Sequence, residues 1–269
     1  MVRKASTAST TETLQPVEKV SVILPTYNEQ SCIKTTFDAV LEYSRTHPNY
    51  YFLFVDDGSI DGTKRFLDLT LNATDTQQIQ LLSYGFRGGK GYAVKQGIAH
   101  ANGDYICYLD SDLAYSLEYL ELLVAELQHV DIVIGCRSFD SRNAEGMNLS
   151  RKIAGRLFNS ASRRLLNLPY RDMQAGLKGF KRDSARALFF KQTMTGFSFD
   201  VELVYLAMKY GYSIKEISAV VSDEHQRKSS KVNLLSDSFN MLIDLLEIKV
   251  NDRRGKYEYS DLAMVSEDV

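Results

Sequence analysis

Asp110 and Asp112 are the residues whose type and spacing most directly indicate chemistry in this sequence. They follow the apolar run Tyr105–Leu109, so their carboxylates are expected at the end of a buried strand. Two carboxylates placed in this way can bind one hard divalent cation, which prefers oxygen ligands. Such a cation would stabilise the charge on a departing diphosphate. Taken alone, the motif is explained more simply by a solvated acidic turn that caps the next helix, because short motifs recur by chance.

A second acidic loop has the same position relative to a strand. Asp56 and Asp57 follow the run Tyr51–Val55. An aspartate pair there can accept hydrogen bonds from a nucleotide base or a ribose hydroxyl, so we expect Asp56 or Asp57 to contact a ligand. Asp61 and Thr63 are expected to be structural residues at the start of the next helix. The alternative is an ordinary turn, since aspartate followed by glycine is a common turn pair.

A glycine-rich stretch at residues 87–91 precedes a predicted helix. Its backbone N–H groups and the ammonium of Lys90 could bind phosphate at the helix N-terminus. The stretch is not a P-loop, because neither its spacing nor its final residue fits that motif. Read alone, the stretch indicates only a flexible glycine turn. The polar segment Pro25–Glu29 follows the apolar run Val20–Leu24 in a similar position.

Short runs rich in Val, Ile and Tyr alternate with helical stretches in the first half of the chain. The predicted strands are Val20–Leu24, Tyr51–Val55, Ile79–Ser83, Tyr105–Leu109 and Asp131–Cys136. The predicted helices are Glu29–Thr46, Gly62–Leu71, Gly91–Ala101 and Leu117–Gln128. This alternation predicts an α/β fold with a mainly parallel sheet flanked by helices. Because ligands bind at the carboxyl ends of strands in such sheets, the polar clusters should meet at one rim.

The second half of the chain is locally basic. Residues 137–182 contain eleven Lys and Arg residues against three acidic residues. Arginine binds phosphate through a bidentate fork, so this region could position an acceptor phosphate. A phosphate monoester is largely dianionic at neutral pH and needs little proton transfer, whereas a sugar hydroxyl needs a general base. The alternative is a solvated basic face. A further strand is predicted at Ile214–Val221.

The overall composition excludes several classes of protein. The formal net charge is −2 and the pI is near 6.1, so we expect no nucleic-acid partner. Three widely separated cysteines favour buried free thiols in a reducing compartment over a disulfide framework or a zinc site. Residues 1–19 lack an apolar run and no apolar run is long enough to span a bilayer, so we expect a cytoplasmic protein.

The apolar stretch Val232–Val250 is predicted to be a helix, and three positions for it stay open. It could lie in a membrane interface, which would give peripheral attachment on the cytoplasmic face. It could instead pack on the protein or pair with a second subunit. Its acidic residues favour packing, because anionic lipid surfaces attract basic helices.

Several blocks together resemble a known family. Pro25–Glu29, Val55–Thr63, Gly89–Gly91 and Asp110–Asp112 occur in the order found in the family-two glycosyltransferases of GT-A fold. The later blocks Asp172–Phe180, Phe199–Leu203 and Arg227–Val232 are similar to dolichyl-phosphate mannose synthases and dolichyl-phosphate glucosyltransferases. The resemblance covers residues 18 to 250 approximately.

The resemblance implies a metal-dependent enzyme that transfers mannose or glucose, with inversion, from GDP-mannose or UDP-glucose to a polyprenyl phosphate of dolichyl type. It implies Mg²⁺ or Mn²⁺ bound by Asp110 and Asp112, with Asp112 and Arg137 in the reaction centre. The residues implied for nucleotide-sugar binding are Pro25, Tyr27, Asn28, Glu29, Asp56, Asp57, Lys90, Asp110, Gln174 and Asp200, the last two shaping the sugar pocket. Those implied for the acceptor phosphate are Arg137, Arg151, Arg227 and Lys231. The sequence departs from many mannose synthases at Ala114, where they carry a Gln as a further metal ligand.

We expect one GT-A domain over residues 17–250, with a nucleotide-sugar half at 17–136 and an acceptor half at 137–250. Residues 1–16 are predicted to be a disordered tail and residues 251–269 a flexible tail. Two other functions stay open at this point. One is transfer to a soluble hydroxyl acceptor, and the other is a non-catalytic protein that binds nucleotide-sugars.

Overall fold

The computed structural model describes residues 18–137, 149–222 and 234–258. Within them one sheet contains the strands β1 Val20–Thr26, β2 Tyr50–Asp56, β3 Ile79–Ser83, β4 Tyr105–Leu109, β5 Ile132–Cys136, β6 Leu177–Lys181 and β7 Ile214–Ser218. The strand order is β3-β2-β1-β4-β6-β5-β7. Only β6 runs antiparallel to its neighbours β4 and β5. The predicted mainly parallel α/β fold is therefore confirmed.

Helices cover both faces of the sheet. They are α1 Ile33–Thr46, α2 Thr63–Ala73, α3 Lys90–His100, α4 Tyr119–Leu127, α5 Leu149–Leu166, α6 Arg182–Lys191, α7 Phe199–Lys209 and α8 Leu234–Arg253. Apolar residues of α1, α2 and α4 belong to one buried cluster, and those of α3, α6, α7 and α8 belong to the other. All five residues of β4 are buried, as expected for a central strand covered on both faces.

One sheet includes strands from both halves of the chain, because β6 pairs with β4 on one side and with β5 on the other. The antiparallel β6 was not predicted, and neither were helices α5 to α7.

The tail expected from residue 251 needs a correction at its start. Helix α8 continues to Arg253, and the side chain of Tyr257 is fully buried.

Helix α8 covers most of the stretch predicted as Val232–Val250. Leu245 and Ile248 on its inner face are fully buried in the core, while Leu242, Ile243 and Leu246 are exposed. The prediction that this helix packs on the protein is therefore confirmed for one face. No helix among the described residues combines the length and the apolar character needed to cross a bilayer.

The three cysteines are free thiols buried in the fold, as their scattered positions predict. Cys107 in β4 is completely inaccessible. Burial raises the pKa of its thiol to about 12, because desolvation disfavours the thiolate. These cysteines are structural apolar residues of the core.

Candidate active site

The carboxyl ends of β1, β2 and β4 lie side by side, because β1 is the strand between β2 and β4. Thr26 at the end of β1 is in register with Asp56 at the end of β2. The loops that follow these strands therefore leave from one edge of the sheet. They contain residues 27–32, 57–62 and 110–118. The predicted common rim is confirmed by this strand order.

Lys90, the first residue of α3, connects the glycine-rich stretch to the aspartate pair. Its Nζ atom lies 2.6 Å from Oδ1 of Asp110 and 4.0 Å from Oδ2 of Asp200. Burial by itself lowers the pKa of Lys90, but the two carboxylates outweigh burial and the pKa is raised. Lys90 is therefore a charged ammonium that already serves as the counter-ion of Asp110.

Gly176 packs closely against the carboxylate of Asp110. A Cβ atom at Gly176 would lie 1.9 Å from Oδ2 of Asp110, so the carboxylate occupies space that only glycine leaves open. The Gly176 carbonyl also accepts a hydrogen bond of 3.2 Å from the Asp110 backbone N–H. The side chain of Asp110 retains 35% exposure and faces solvent from this seat.

The aspartate pair fits a divalent cation that keeps part of its coordination for substrate. Asp112 is half-buried, and its Oδ1 accepts a hydrogen bond of 3.1 Å from the N–H of Ala114. Among the described residues no cluster of three His, Cys, Asp or Glu side chains forms. Mg²⁺ is commonly bound by one or two carboxylates with water and substrate phosphates as the other ligands. Asp110 and Asp112 would hold such an ion, and the buried Ala114 adds no ligand.

A buried ion pair supports Lys90 from below. Oδ1 of Asp200 accepts hydrogen bonds from the ammonium of Lys178 and the hydroxyl of Tyr108. Lys178 is completely buried and donates a further hydrogen bond of 2.7 Å to the carbonyl of Ala175. Burial lowers the pKa of Lys178 by more than Asp200 raises it. The carboxylate of Asp200 is thus held beneath the site instead of lining an open sugar pocket, since only 2% of the residue is exposed.

Asp57 fastens the glycine-rich stretch to the end of β2. Its Oδ1 accepts hydrogen bonds from the Tyr84 hydroxyl at 2.9 Å and the Gly88 N–H at 2.7 Å. Its Oδ2 accepts a hydrogen bond of 2.9 Å from the Gly89 N–H. The carboxylate therefore holds the loop that carries Lys90, a role that the sequence motif did not indicate.

We expect Asp57→Asn to lower the stability of the fold and to weaken donor binding together. The amide oxygen of Asn can still accept, but the amide nitrogen cannot, so a half-buried N–H donor would lose its partner at a cost of about 1–3 kcal/mol. Thermal denaturation and KM for the donor measure the two effects. Asp68→Asn is the matched control, because Asp68 is an exposed partner of Lys64. An unchanged KM in Asp57→Asn would contradict the positioning role.

Asp56 lies one residue earlier and has acceptor capacity to spare. Its Oδ2 is 3.3 Å from the Ser83 hydroxyl and 3.4 Å from the Ser59 N–H. Its Oδ1 has no hydrogen-bond partner among the described residues, although it is buried. A ligand N–H or hydroxyl at this point would satisfy that oxygen.

The loop after β1 is tied to the loop after β2. Asn28 has a φ of 52°, and its Oδ1 accepts a hydrogen bond of 2.9 Å from the Ile60 N–H. The Arg87 guanidinium lies 4.4 Å from the centre of the Tyr27 ring. Glu29 accepts a hydrogen bond of 3.2 Å from the Cys32 thiol. These contacts hold the loop after β1 in position. Pro25, which was also predicted to bind the nucleotide-sugar, lies within β1 itself.

Arg137, directly after β5, is oriented by Asp172. The guanidinium Nε and Nη2 donate hydrogen bonds of 2.7 and 2.9 Å to the two carboxylate oxygens. Burial by itself would raise the pKa of Asp172, but Arg137 outweighs burial and holds it below its usual range. The Arg137 side chain is 41% exposed, and its charge interacts with that of Asp110. Gln174 lies close by, and its N–H is 3.3 Å from Oδ1 of Asp172.

Three residues predicted to bind the acceptor phosphate are not placed by these contacts. Arg151 belongs to helix α5, but its side chain lies outside the described part of the structure. Arg227 and Lys231 lie outside the described residues altogether. Conversely, the sequence motifs did not single out the supporting roles of Tyr108, Asp172 or Lys178.

Residues 21–189, more than half of the chain, match the family model described as Glycosyl transferase family 2. The chain belongs to glycosyl transferase family 2. It is therefore a nucleotide-sugar-dependent glycosyltransferase, and the predicted family and enzyme class are confirmed.

Two curated relatives of this family 2 glycosyltransferase share 28% identity with it. The dolichyl-phosphate beta-glucosyltransferase of Dictyostelium discoideum aligns over 256 residues, which are 90% of this chain and 77% of that protein. Glycosyltransferase AglD of Haloferax volcanii aligns over 228 residues, which are 83% of this chain and 36% of that longer protein.

Solved structures share the fold of this family 2 glycosyltransferase. Glucosyl-3-phosphoglycerate synthase from Mycobacterium tuberculosis in complex with UDP gives a TM-score of 0.65 at 18% identity, over 86% of this chain and 80% of that chain. The same enzyme in complex with Mn²⁺, UDP and glucosyl-3-phosphoglycerate gives 0.62 at 17% identity, over 89% and 81% of the two chains. The likeness confirms the GT-A fold.

Proposed function

We propose that this family 2 glycosyltransferase transfers a hexose, with inversion, from a nucleotide-sugar to a polyprenyl phosphate. The observation that carries the proposal is the cluster of Asp110 and Asp112 with the cations Lys90 and Arg137 at one rim. This cluster can hold a metal-bound diphosphate and a second phosphate side by side. The relative named dolichyl-phosphate beta-glucosyltransferase supports the acceptor class and favours glucose over mannose.

The state of Asp200 favours a phosphate acceptor over a hydroxyl acceptor. A hydroxyl nucleophile needs a general base within hydrogen-bond reach of its proton. Asp200 lies beside Lys90, but it is buried and already accepts hydrogen bonds from Lys178 and Tyr108. It is therefore badly placed to take a proton from an acceptor sugar. A phosphate monoester needs no such base, because it is already largely dianionic at neutral pH.

Each group of residues at the site has a separate role in the proposed reaction. Asp110 and Asp112 would hold Mg²⁺ or Mn²⁺, which when bound stabilises negative charge on the leaving diphosphate. Lys90 would bind a donor phosphate, and Arg137, whose guanidinium Asp172 orients and whose side chain is 41% exposed, would orient the acceptor phosphate. The reaction is a single in-line displacement at the anomeric carbon, so its catalysis depends on positioning and charge. Arg151, Arg227 and Lys231 are proposed as further acceptor contacts.

The nucleoside would lie against the loops after β1 and β2. The half-buried Tyr27, whose ring centre lies 4.4 Å from the Arg87 guanidinium, would lie beside the nucleoside. Oδ1 of Asp56, which has no partner within the described part of the chain, offers an acceptor for a base N–H or a ribose hydroxyl. A polyprenyl acceptor would bring the enzyme to a membrane surface as a peripheral protein of the cytoplasmic face, and the exposed outer residues of α8 are compatible with that position.

A transfer assay with paired acceptors tests the proposal. Purified protein with Mn²⁺ is given UDP-glucose or GDP-mannose, and either a short polyprenyl phosphate in detergent, a soluble phosphate monoester or an alkyl glucoside. We expect a labelled lipid product that mild acid hydrolyses, and UDP-glucose as the better donor. Transfer only to the glucoside would establish the hydroxyl-acceptor alternative. Nucleotide-sugar binding without transfer to any acceptor would establish the non-catalytic alternative.

A further inference from the structure

We propose that Lys90 couples binding of the divalent cation to binding of the donor diphosphate. The Lys90 ammonium competes with the cation for Asp110 until it moves from Asp110 to the bound diphosphate. The inference rests on the proposed function of this site. The ammonium of Lys90 lies 2.6 Å from the Asp110 carboxylate, one of the two groups that would hold the metal. An ammonium and a divalent cation cannot share that carboxylate at short range without strong repulsion.

The position of Lys90 provides two carboxylates for one ammonium. Asp110 is the nearer, and Oδ2 of Asp200 lies 4.0 Å away on the buried side. Asp200 cannot fully replace Asp110, because its other oxygen already binds the ammonium of Lys178. Lys90 therefore needs additional negative charge before it leaves Asp110 completely.

The charges of the ionised groups near Lys90 indicate which ligand supplies the additional negative charge. Asp110, Lys90, Asp200 and Lys178 alternate in sign and balance to zero, and Asp112 adds one negative charge near Lys90, which is too little to offset a divalent cation. Burial makes an excess of either charge costly. A divalent cation alone would add two positive charges next to Lys90. A donor diphosphate arriving with the cation would offset them and offer oxygens to the Lys90 ammonium. Metal and diphosphate should therefore bind better together than separately.

The backbone around Lys90 is fixed, so the exchange is a movement of the side chain. Asp57 holds the N–H of Gly89, and the carbonyl of Thr195 accepts a hydrogen bond of 3.2 Å from the N–H of Tyr92. The segment that carries Thr195 is itself held by Glu202, a fully buried residue that accepts a hydrogen bond of 2.9 Å from the Met194 N–H. The start of α3 is thus braced on both sides, which leaves the Lys90 side chain as the part free to respond.

The test is Mn²⁺ binding to the full chain, measured by electron paramagnetic resonance with and without UDP. In Lys90→Met we expect Mn²⁺ alone to bind about five- to tenfold more tightly than in the wild type, because a competing cation is removed from a partly exposed carboxylate. The enhancement of Mn²⁺ affinity by UDP should fall by a similar factor. Lys90→Arg keeps the charge and should keep most of the enhancement, which guards against a folding defect in the Met variant.

Lys34→Met is the matched control. The Lys34 ammonium also lies 2.6 Å from an aspartate, Asp38, but this pair is exposed on α1. The Lys34→Met variant should bind Mn²⁺ and UDP as the wild type does. If the wild type binds both ligands while Lys90→Met shows unchanged or weaker Mn²⁺ affinity with the full UDP enhancement, the coupling role is wrong and the proposed function stands. If the wild type binds neither Mn²⁺ nor UDP, the proposed function and the coupling fail together.

Discussion

Replacing Asp112 with Asn is expected to lower kcat for sugar transfer by about a thousandfold, the scale typical of lost electrostatic stabilisation of a transition state. Asn keeps the shape of the side chain, and its amide oxygen can still accept the hydrogen bond from Ala114 that Oδ1 of Asp112 accepts at 3.1 Å. The substitution removes the negative charge that would hold a divalent cation against the diphosphate. Steady-state kinetics at saturating Mn²⁺ measure the loss, and thermal denaturation should show a fold as stable as the wild type.

Asp104→Asn is the control for this prediction. Asp104 lies just before β4 and pairs with Arg182 at 2.8 Å, whereas Asp112 lies beyond the other end of the same strand. We expect near wild-type kcat in Asp104→Asn. An Asp112→Asn enzyme that keeps more than about a tenth of wild-type kcat would contradict a metal role for this residue, because loss of one stabilising group typically costs at least a hundredfold.

Gly176→Ala is expected to lower kcat/KM by about a hundredfold through a single added methyl group. Its Cβ would lie 1.9 Å from Oδ2 of Asp110, so the carboxylate has to move by roughly 1 Å or more. A shift of that size misaligns a metal ligand, and a 1 Å misplacement can cost about a hundredfold in rate. Mn²⁺ affinity should fall in parallel, and a higher concentration of Mn²⁺ should restore part of the activity.

Gly196→Ala provides the comparison for the added methyl group. A Cβ at Gly196 meets no atom within 4 Å, so this variant should keep wild-type kinetics. Gly176 is buried, and some loss of stability is expected in Gly176→Ala as the neighbours adjust. Full activity in a stably folded Gly176→Ala protein would show that catalysis does not depend on the present position of the Asp110 carboxylate.

The sequence predicts the nucleotide half of the fold well because that half consists of βα units. The run Tyr105–Leu109 was predicted to be a strand and is β4 with the same bounds. Its apolar character and the acidic residues after it follow from burial on both faces and from ligand binding at its end. The strand β6 was missed, since Leu177–Lys181 contains Gly179 and two lysines and lacks the pattern of the parallel strands.

Side-chain roles were harder to predict than positions. Asp57 was predicted to bind nucleotide, but its carboxylate holds Gly88 and Gly89. That role depends on a loop some thirty residues away, and no local spacing encodes the contact. Lys178 resembled one more residue of a basic region, whereas it is a completely buried partner of Asp200. Only the three-dimensional pairing of β6 with β4 brings Lys178 beneath the rim.

The central claim is that the loops after β1, β2 and β4 form one site where Asp110 and Asp112 hold a divalent cation against a nucleotide diphosphate. Anomalous diffraction from crystals of the protein grown with Mn²⁺ and UDP tests this claim most directly. We predict one Mn²⁺ peak between the two carboxylates, with the UDP diphosphate in contact with the ion and the uridine beside Tyr27 and Asp56. Bound UDP at another surface, or a Mn²⁺ peak away from both aspartates, would contradict the account.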